Sequence, residues 1–259
     1  MRYCFLLQHA APAIVALALA QTLVSCKRTP PPAPVPPSAT VLRGADFSQL
    51  PKIEAENYAY LSADSVPADP LELLASSGAN VVRLKVWNNP TGDGSLAELR
   101  PLVARIKALD MTVMLTLHYS NTWADPGAQS APTQWATLTF EEVLDSVENF
   151  TFRVVRTLEP EYVQIGNEIN HGFLHPFGVR DESGHFQRLL LAGLQGAHRA
   201  DSTCQTLLHF AGYDQASAFF ASVDSLPYED GKGRIAKSGV FEKALEALEE
   251  EIESLLPNA

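Results

Sequence analysis

Residues 163–170 read Val-Gln-Ile-Gly-Asn-Glu-Ile-Asn, and this stretch decides the fold of the chain. An apolar run leads into Asn167 and Glu168, and a loop that contains Gly172 and Pro176 follows. This pattern predicts a buried strand whose carboxyl end is followed by polar residues and a loop. In a (β/α)8 barrel the C-terminal ends of the strands carry the reactive side chains. The pattern therefore favours a barrel strand, and a Glu-Ile-Asn turn in an ordinary α/β protein is the alternative.

Two earlier segments repeat the pattern of an apolar strand that ends in polar and aromatic residues. Residues 81–87 run into an Asn-Asn-Pro sequence, and residues 112–118 run into a polar loop at 119–126. The three tryptophans of the chain lie at or just beyond such ends: Trp87, Trp123 and Trp135. An indole ring offers a flat apolar partner to the C–H face of a sugar. For each single ring, packing in the core is the alternative.

Strand and helix patterns alternate along the chain and predict five β/α units. Such alternation favours a parallel sheet with helices outside it. An open doubly wound sheet alternates too, but no Gly-rich phosphate loop follows the first strand. The predicted strands cover residues 41–47, 80–87, 112–118, 162–167 and 206–211. The predicted helices cover residues 70–77, 96–109, 186–200 and 215–223, and a further helix begins at Thr139 with Glu142 in a capping box.

The pair at the end of the fourth predicted strand suits acid–base chemistry on a glycosidic bond. Glu168 would protonate the leaving oxygen, and Asn167 would hydrogen-bond a sugar hydroxyl. A general acid of this kind needs a raised pKa, so we expect Glu168 to be partly shielded from water.

Five stretches match a known family in the family's own order: residues 43–48, 80–90, 118–126, 163–170 and 208–211. In these stretches the chain resembles glycoside hydrolase family 53, the arabinogalactan endo-β-1,4-galactanases. The resemblance extends from about Arg43 to about Tyr228. It implies a retaining (β/α)8 hydrolase that acts on the polysaccharide β-1,4-galactan, with Glu168 as acid/base. Asn121 is a departure, because the family usually has Asp there.

The resemblance and the strand-end positions together indicate the residues that would bind substrate. Arg83 would steady a carboxylate, which in a complete family member is the nucleophile, or it would form a structural ion pair. His118 would hydrogen-bond the substrate or a neighbouring carboxylate, or it would be a satisfied core residue. The candidate substrate-binding residues are Asn167, Arg83, Trp87, Asn88, His118, Trp123, Asp125 and His209.

A retaining mechanism needs a second carboxylate about 5 Å from the first. In the family this is a Glu at the end of the seventh strand, and the sequence predicts no such strand here. Residues 241–255 instead predict an acidic amphipathic helix. We therefore expect an incomplete, C-terminally truncated barrel at about residues 41–229, with a divergent helical tail at residues 230–259. A non-catalytic galactan-binding relative is the alternative to an active galactanase, and a broken reading frame is a third possibility.

The N-terminal sequence predicts export and a lipid anchor. An apolar run at residues 10–24 is too short for a secure membrane span and is typical of a signal peptide. The sequence Leu-Val-Ser-Cys that ends at Cys26 resembles the bacterial lipobox. It implies a signal peptide at residues 1–25 and lipidation of Cys26, and an ordinary secretory signal is the alternative. A Pro-rich tether follows up to residue 40. In enteric-type bacteria, an Asp directly after the lipidated Cys holds a lipoprotein at the inner membrane. Lys27 occupies that position here, so we expect an outer-membrane anchor in the cell envelope.

Composition restricts the remaining classes of partner and cofactor. The net charge of −11 argues against nucleic acid as a partner, whereas a neutral polysaccharide is compatible with it. Cys204 would have no disulfide partner. The sequence contains no zinc-type spacing. His171 and His175 are four residues apart, which fits metal ligands on a helix, but they flank Gly172 in a predicted loop. Some bacterial relatives bind calcium, but no acidic loop indicates it here. We therefore expect no metal and no cofactor.

Overall fold

The computed structural model describes residues 41–224, in which strands and helices alternate. The strands are β1 (Gly44–Asp46), β2 (Val81–Val86), β3 (Thr112–Leu117), β4 (Tyr162–Ile165), β5 (Gly172–Phe173), β6 (Gly178–Val179) and β7 (Gln205–Leu207). The α-helices are α1 (Leu50–Ala55), α2 (Pro70–Ser76), α3 (Leu96–Ala108), α4 (Phe140–Leu158), α5 (His185–Ala200) and α6 (Ala216–Asp224).

Five of the strands form one parallel sheet in the order β1-β2-β3-β4-β7. Lys85 on β2 lies opposite Thr116 on β3, which in turn lies opposite Gln164 on β4. The structure thus confirms the predicted series of parallel β/α units. Because all five strands run the same way, their carboxyl ends meet at one edge of the sheet. Strands β5 and β6 form a separate antiparallel pair.

Helix α4, the longest in the described part of the chain, shows how a sequence pattern leads to packing. Thr139 caps it: the Thr139 hydroxyl accepts from the Glu142 N–H, and the Glu142 carboxylate accepts from the Thr139 N–H at 2.7 Å, which confirms the predicted capping box. Val147, Val154 and Leu158 are buried on one face of the helix. Each such side chain contributes roughly 1.5–3 kcal/mol when fully buried. Helix α4 packs on α5, and these side chains are part of the hydrophobic core.

Each predicted strand extends beyond the carboxyl end of the observed strand, and two of them do so by two residues or more. The fourth strand was predicted to reach Asn167, but β4 ends at Ile165 because Gly166 turns the backbone to a φ of +77°. A side chain at Gly166 would also meet Ile169 Cγ2 at 2.4 Å. The fifth predicted strand was assigned to residues 206–211, and β7 ends at Leu207.

Some short elements lack a sequence signal. Helix α1 has six residues, less than two turns, so no 3.6-residue periodicity can develop. A 3-10 helix at Thr133–Trp135 lies between β3 and α4. Residues 41–224 contain no helix that is both long and apolar enough to cross a bilayer. The predicted signal peptide, Cys26, the predicted Pro-rich tether and the predicted acidic helix at 241–255 lie outside the described residues.

Candidate active site

Asn167 is the centre of a hydrogen-bond network at the carboxyl edge of the sheet. Its side-chain Oδ1 accepts from Arg83 Nη2 at 3.0 Å and from Gln164 Nε2 at 3.3 Å. His209 Nδ1 lies 3.1 Å from the same oxygen, and it must carry a hydrogen because an amide oxygen only accepts. Asn167 Nδ2 donates to the Ala124 carbonyl at 2.8 Å. The second hydrogen on Nδ2 has no acceptor among the described residues.

Arg83 joins two strands of this edge. Its Nη1 donates to Asp46 Oδ2 at 2.5 Å, while its Nη2 reaches Asn167. Asp46 stands at the end of β1, so one guanidinium spans the ends of β1 and β4. Within residues 41–224, the carboxylate that Arg83 contacts is therefore Asp46. Sequence reasoning did not select Asp46, although it lies in one of the five matching stretches.

Glu168 is half-buried and has a left-handed backbone, with a φ of +53°. For a residue with a side chain this conformation is uncommon and is stable only where the surroundings enforce it. Gln129 Nε2 donates to the carbonyls of both Asn167 and Glu168, at 2.7 and 3.2 Å. On the other side, Ile169 N–H donates to the His209 carbonyl at 3.0 Å. Gln129 was not among the predicted residues, because nothing local marks it.

The carboxylate of Glu168 accepts no hydrogen bond from any residue of the described part of the chain. The backbone of this glutamate is held firmly, while its reactive oxygens remain available. This combination agrees with the partly shielded position predicted for a general acid.

The three tryptophans considered as sugar contacts have different environments. Trp123 is 47 % exposed, whereas Trp87 and Trp135 are each 8 % exposed. Trp135 packs edge-on against Phe150 in the core, with ring centroids 6.2 Å apart, so core packing is the correct reading for it. Trp123 meets Trp87 edge-to-face at 5.7 Å and an interplanar angle of 85°. Of the three rings, Trp123 is the one that can offer a face to a sugar.

His118 lies beside Trp123, with ring centroids 5.4 Å apart. Its Nδ1 accepts from the Ala124 N–H at 2.9 Å, so in the neutral ring the hydrogen is on Nε2. Burial, assisted by the charges of Arg83 and Lys85, lowers the pKa of His118 to about 4. His118 is therefore neutral at ordinary pH. Its buried Nε2–H has no partner among residues 41–224 and is a ready donor for a hydroxyl.

This depressed pKa predicts a loss of stability in acid. In the unfolded chain His118 is protonated below its ordinary pKa of 6.5, whereas in the folded chain it is protonated only below a pKa of about 4. His118 should therefore reduce the free energy of unfolding as the pH falls through this window, by up to about 3 kcal/mol. His118→Asn can still accept from Ala124 N–H but does not titrate. Urea denaturation at pH 7 and pH 4 should show a smaller acid loss for His118→Asn than for the unchanged chain. An equal loss in both would contradict the buried, neutral imidazole.

Five buried donors at the ends of β2 and β3 lack a hydrogen-bond partner in the described part of the chain: Lys85 Nζ, Trp87 Nε1, Asn88 Nδ2, Thr116 Oγ1 and His118 Nε2. Buried donors are almost always paired with protein, water or ligand. A cluster of unpaired donors at the carboxyl edge therefore points to an acceptor-rich ligand or to water. Lys85 was not predicted. The available signal was its spacing, since it follows Arg83 by two residues and so projects to the same face of the sheet.

The remaining predicted residues have local roles. His209 holds Asn167, and burial and the charge of Arg83 lower the pKa of this histidine. Asp125 is exposed, and its Oδ1 accepts from Gly127 N–H at 2.8 Å to close a turn. Asn121 Nδ2 donates to the Asn88 carbonyl at 2.9 Å, which the carboxylate usual in the family could not do. Residues 41–224 contain no group of three or more side chains placed to hold a metal ion.

The sequence matches known galactanases. The model of glycosyl hydrolase family 53 matches residues 42–251, which extends beyond Tyr228, where the visible resemblance ends. Arabinogalactan endo-beta-1,4-galactanase A of Emericella nidulans is 37% identical over 175 residues, 65% of this chain and 49% of that protein. The probable arabinogalactan endo-beta-1,4-galactanase A of Aspergillus terreus is 38% identical over 194 residues, 71% of this chain and 55% of that protein. This chain thus spans about half the length of the curated relatives it matches.

Solved structures agree with the sequence comparison. The family 53 catalytic domain of Ignisphaera aggregans has a TM-score of 0.68 at 32% identity, over 70% of this chain and 55% of that chain. A fungal beta-1,4-galactanase structure has a TM-score of 0.66 at 28% identity, over 71% of this chain and 58% of that chain. The fold is therefore of the (β/α)8 barrel type, and the described residues supply five of its parallel strands. The chain belongs to glycosyl hydrolase family 53.

Proposed function

We propose that the protein is an endo-β-1,4-galactanase that hydrolyses internal bonds of (arabino)galactan with retention of configuration. Glu168 is the acid/base. The observation that carries this proposal is the way Glu168 is held: its backbone is clamped between Gln129 and His209, while its carboxylate has no hydrogen bond from residues 41–224. A fixed position and an available carboxylate are what proton transfer to a glycosidic oxygen requires.

The surrounding side chains supply the contacts of the proposed sugar site. Trp123 offers its exposed ring to the apolar face of a galactosyl unit. Asn167 Nδ2 and His118 Nε2 each retain a hydrogen for a hydroxyl. Arg83 and His209 orient Asn167. Further proposed substrate contacts on the same edge are Trp87 and Asn88, through Nε1 and Nδ2, which have no partner among residues 41–224, and the exposed Asp125.

Retention requires a second carboxylate about 5 Å from Glu168 as the nucleophile. The family resemblance places this nucleophile on a glutamate at the end of the seventh strand, and residues 41–224 supply five parallel strands. We therefore assign the nucleophile to none of residues 41–224.

The test is reducing-end release from linear β-1,4-galactan by the purified chain, with galactan affinity measured in parallel. We expect oligosaccharide products from the first minutes, because an endo-acting enzyme cuts within the chain. Proton NMR of the fresh products should show the β-anomer first. A folded protein that binds galactan and releases no reducing ends is a binding protein, and the proposal of hydrolysis is then wrong. A folded protein that neither binds nor cleaves galactan would overturn the substrate as well.

We also propose that Cys26 is lipidated and anchors the protein in the outer membrane of the bacterial cell envelope. The support is the lipobox-like sequence before Cys26 and the Pro-rich stretch after it. In a bacterial host that processes lipoproteins, the full chain should sediment with membranes, whereas Cys26→Ser should be soluble. Cys204→Ser is the matched control and should sediment like the unchanged chain. Equal sedimentation of the Cys26→Ser variant and the unchanged chain would contradict the anchor.

A further inference from the structure

Lys85 is a fully buried cation at the proposed sugar site. Its side chain has 0 % exposure, and its Nζ has no hydrogen-bond partner among residues 41–224. Asp93 Oδ1 lies 3.3 Å away, on a side chain that is 39 % exposed. An ammonium that lacks hydrogen bonds is costly to bury. Filling space in a core would not require a charge, because an apolar side chain of the same length would do so at lower cost.

The contacts of Lys85 indicate what compensates for this burial. Its Nζ lies 4.0 Å from the centroid of the Trp87 ring and 4.3 Å from the centroid of the Trp123 ring. Both distances are within the range in which a cation is attracted to the face of an indole. Because the two rings are nearly perpendicular, a single ammonium contacts both and opposes any change in the angle between them.

Trp123 needs such support because of where it is placed. It belongs to the loop after β3 and is 47 % exposed, so only part of the ring is held by neighbours. Trp87, by contrast, is buried and is covered by the loop that carries Asp93. That loop comes close because Gly94 has no side chain: a Cβ at Gly94, where φ is +68°, would lie 3.3 Å from two atoms of the Trp87 ring. The Trp87 ring and Asp93 therefore form a fixed base for the ammonium.

We propose that Lys85 is a positioning residue for the sugar subsite at Trp123. Its ammonium, balanced by Asp93, clamps the Trp123 ring against Trp87 and so fixes the ring face that receives a galactosyl unit. This inference rests on the proposed galactanase function, because it assigns a role within the same site. Lys85 acts through Trp123 and takes no part in proton transfer at Glu168.

The test uses Lys85→Met, which keeps the length of the side chain and removes the charge. Acrylamide quenching of tryptophan fluorescence reports mainly on Trp123, because Trp87 and Trp135 are each 8 % exposed. We expect stronger quenching in Lys85→Met, since the released ring becomes more accessible. The Kd for β-1,4-galactotetraose, measured by calorimetry, should rise about fivefold to thirtyfold, the range of one or two cation–π contacts. KM should rise with little change in kcat, because binding rather than chemistry is affected.

Two further variants separate positioning from simple structural damage. Lys85→Arg keeps a cation and should retain most of the affinity and the quenching of the unchanged chain. In a Trp123→Ala background, Lys85→Met should cause no further loss of affinity, because the residue it positions is gone. A full additional loss in that background, or unchanged quenching in Lys85→Met alone, would overturn the proposal.

The two readouts also distinguish this proposal from the proposed function. If the unchanged chain does not bind galactotetraose, the galactanase proposal fails. The quenching of Lys85→Met relative to the unchanged chain and to Lys85→Arg still decides whether Lys85 holds the Trp123 ring. Thermal unfolding verifies that each variant is folded, and we expect Lys85→Met to fold because an apolar replacement for a buried charge is commonly tolerated.

Discussion

Glu168→Gln should reduce the rate of reducing-end release from β-1,4-galactan by about 100-fold to 10,000-fold, the usual contribution of a positioned general acid. Glutamine has nearly the same shape and can occupy the same half-buried position, but it cannot donate and recover a proton. The left-handed backbone at this residue should survive, because the Gln129 side chain and the His209 carbonyl bind main-chain atoms of residues 167–169. Galactan affinity should therefore change little while kcat falls.

Glu182→Gln is the matched control. Glu182 is exposed on the loop before α5, so the same chemical change there should leave kcat and affinity unchanged. The measurement is kcat and KM on linear β-1,4-galactan for the three proteins, with oligosaccharide affinity from calorimetry. If Glu168→Gln retains the activity of the unchanged chain, another group supplies the proton and the assignment of Glu168 is wrong. If affinity and activity fall together, Glu168 serves mainly in binding.

The position of Glu168 could be predicted because the sequence signal for it is local. An apolar run, a glycine and a polar pair follow one another within eight residues, and a strand followed by a turn is the natural reading of that order. The same holds for β2 and β3, whose apolar segments end at polar and aromatic residues. The start of α4 could be predicted too, because Thr139 and Glu142 form a capping box that is recognisable in the sequence.

The interactions that make these residues a site could not be predicted, because they connect distant parts of the chain. Arg83 and Asn167 are 84 positions apart, and Ala124 and Asn167 are 43 positions apart. Gln129 clamps the glutamate from an irregular loop, where no periodicity indicates the direction of a side chain. Only the relative placement of β2, β4 and the loop after β3 brings these groups together.

The tryptophans and Lys85 show a second limit. Trp123 and Trp135 both follow β3, and sequence alone could not show that one ring is exposed and the other is in the core. The difference arises from Phe150 on α4, which covers Trp135. Lys85 was passed over because a lysine within a strand is usually at the surface. Its burial depends on two indole rings and an aspartate that only the folded loops bring to it.

Asn167→Ala should lower the free energy of unfolding by about 2–4 kcal/mol, because it removes the shared acceptor of three donors. Without Oδ1, the side chains of Arg83, His209 and Gln164 lose a partner, and the Ala124 carbonyl loses its donor. Arg83 and His209 are half-buried and can turn to water, and Gln164 Nε2 keeps its 2.8 Å bond to the Gly166 carbonyl. The largest part of the loss should therefore come from the carbonyl of Ala124, which is buried.

Urea denaturation of two further variants tests this reasoning. Asn149→Ala is the control: Asn149 is exposed on α4, where its Oδ1 accepts from Arg199 at 3.1 Å, and its loss should change stability by less than about 0.5 kcal/mol. Asn167→Asp keeps an acceptor for the three donors but sets a carboxylate oxygen against the Ala124 carbonyl, so its loss should be intermediate. If Asn167→Ala is as stable as Asn149→Ala, the network contributes nothing to folding. Its hydrogen bonds would then matter only for orienting the amide beside Glu168, and the loss should appear in galactan affinity alone.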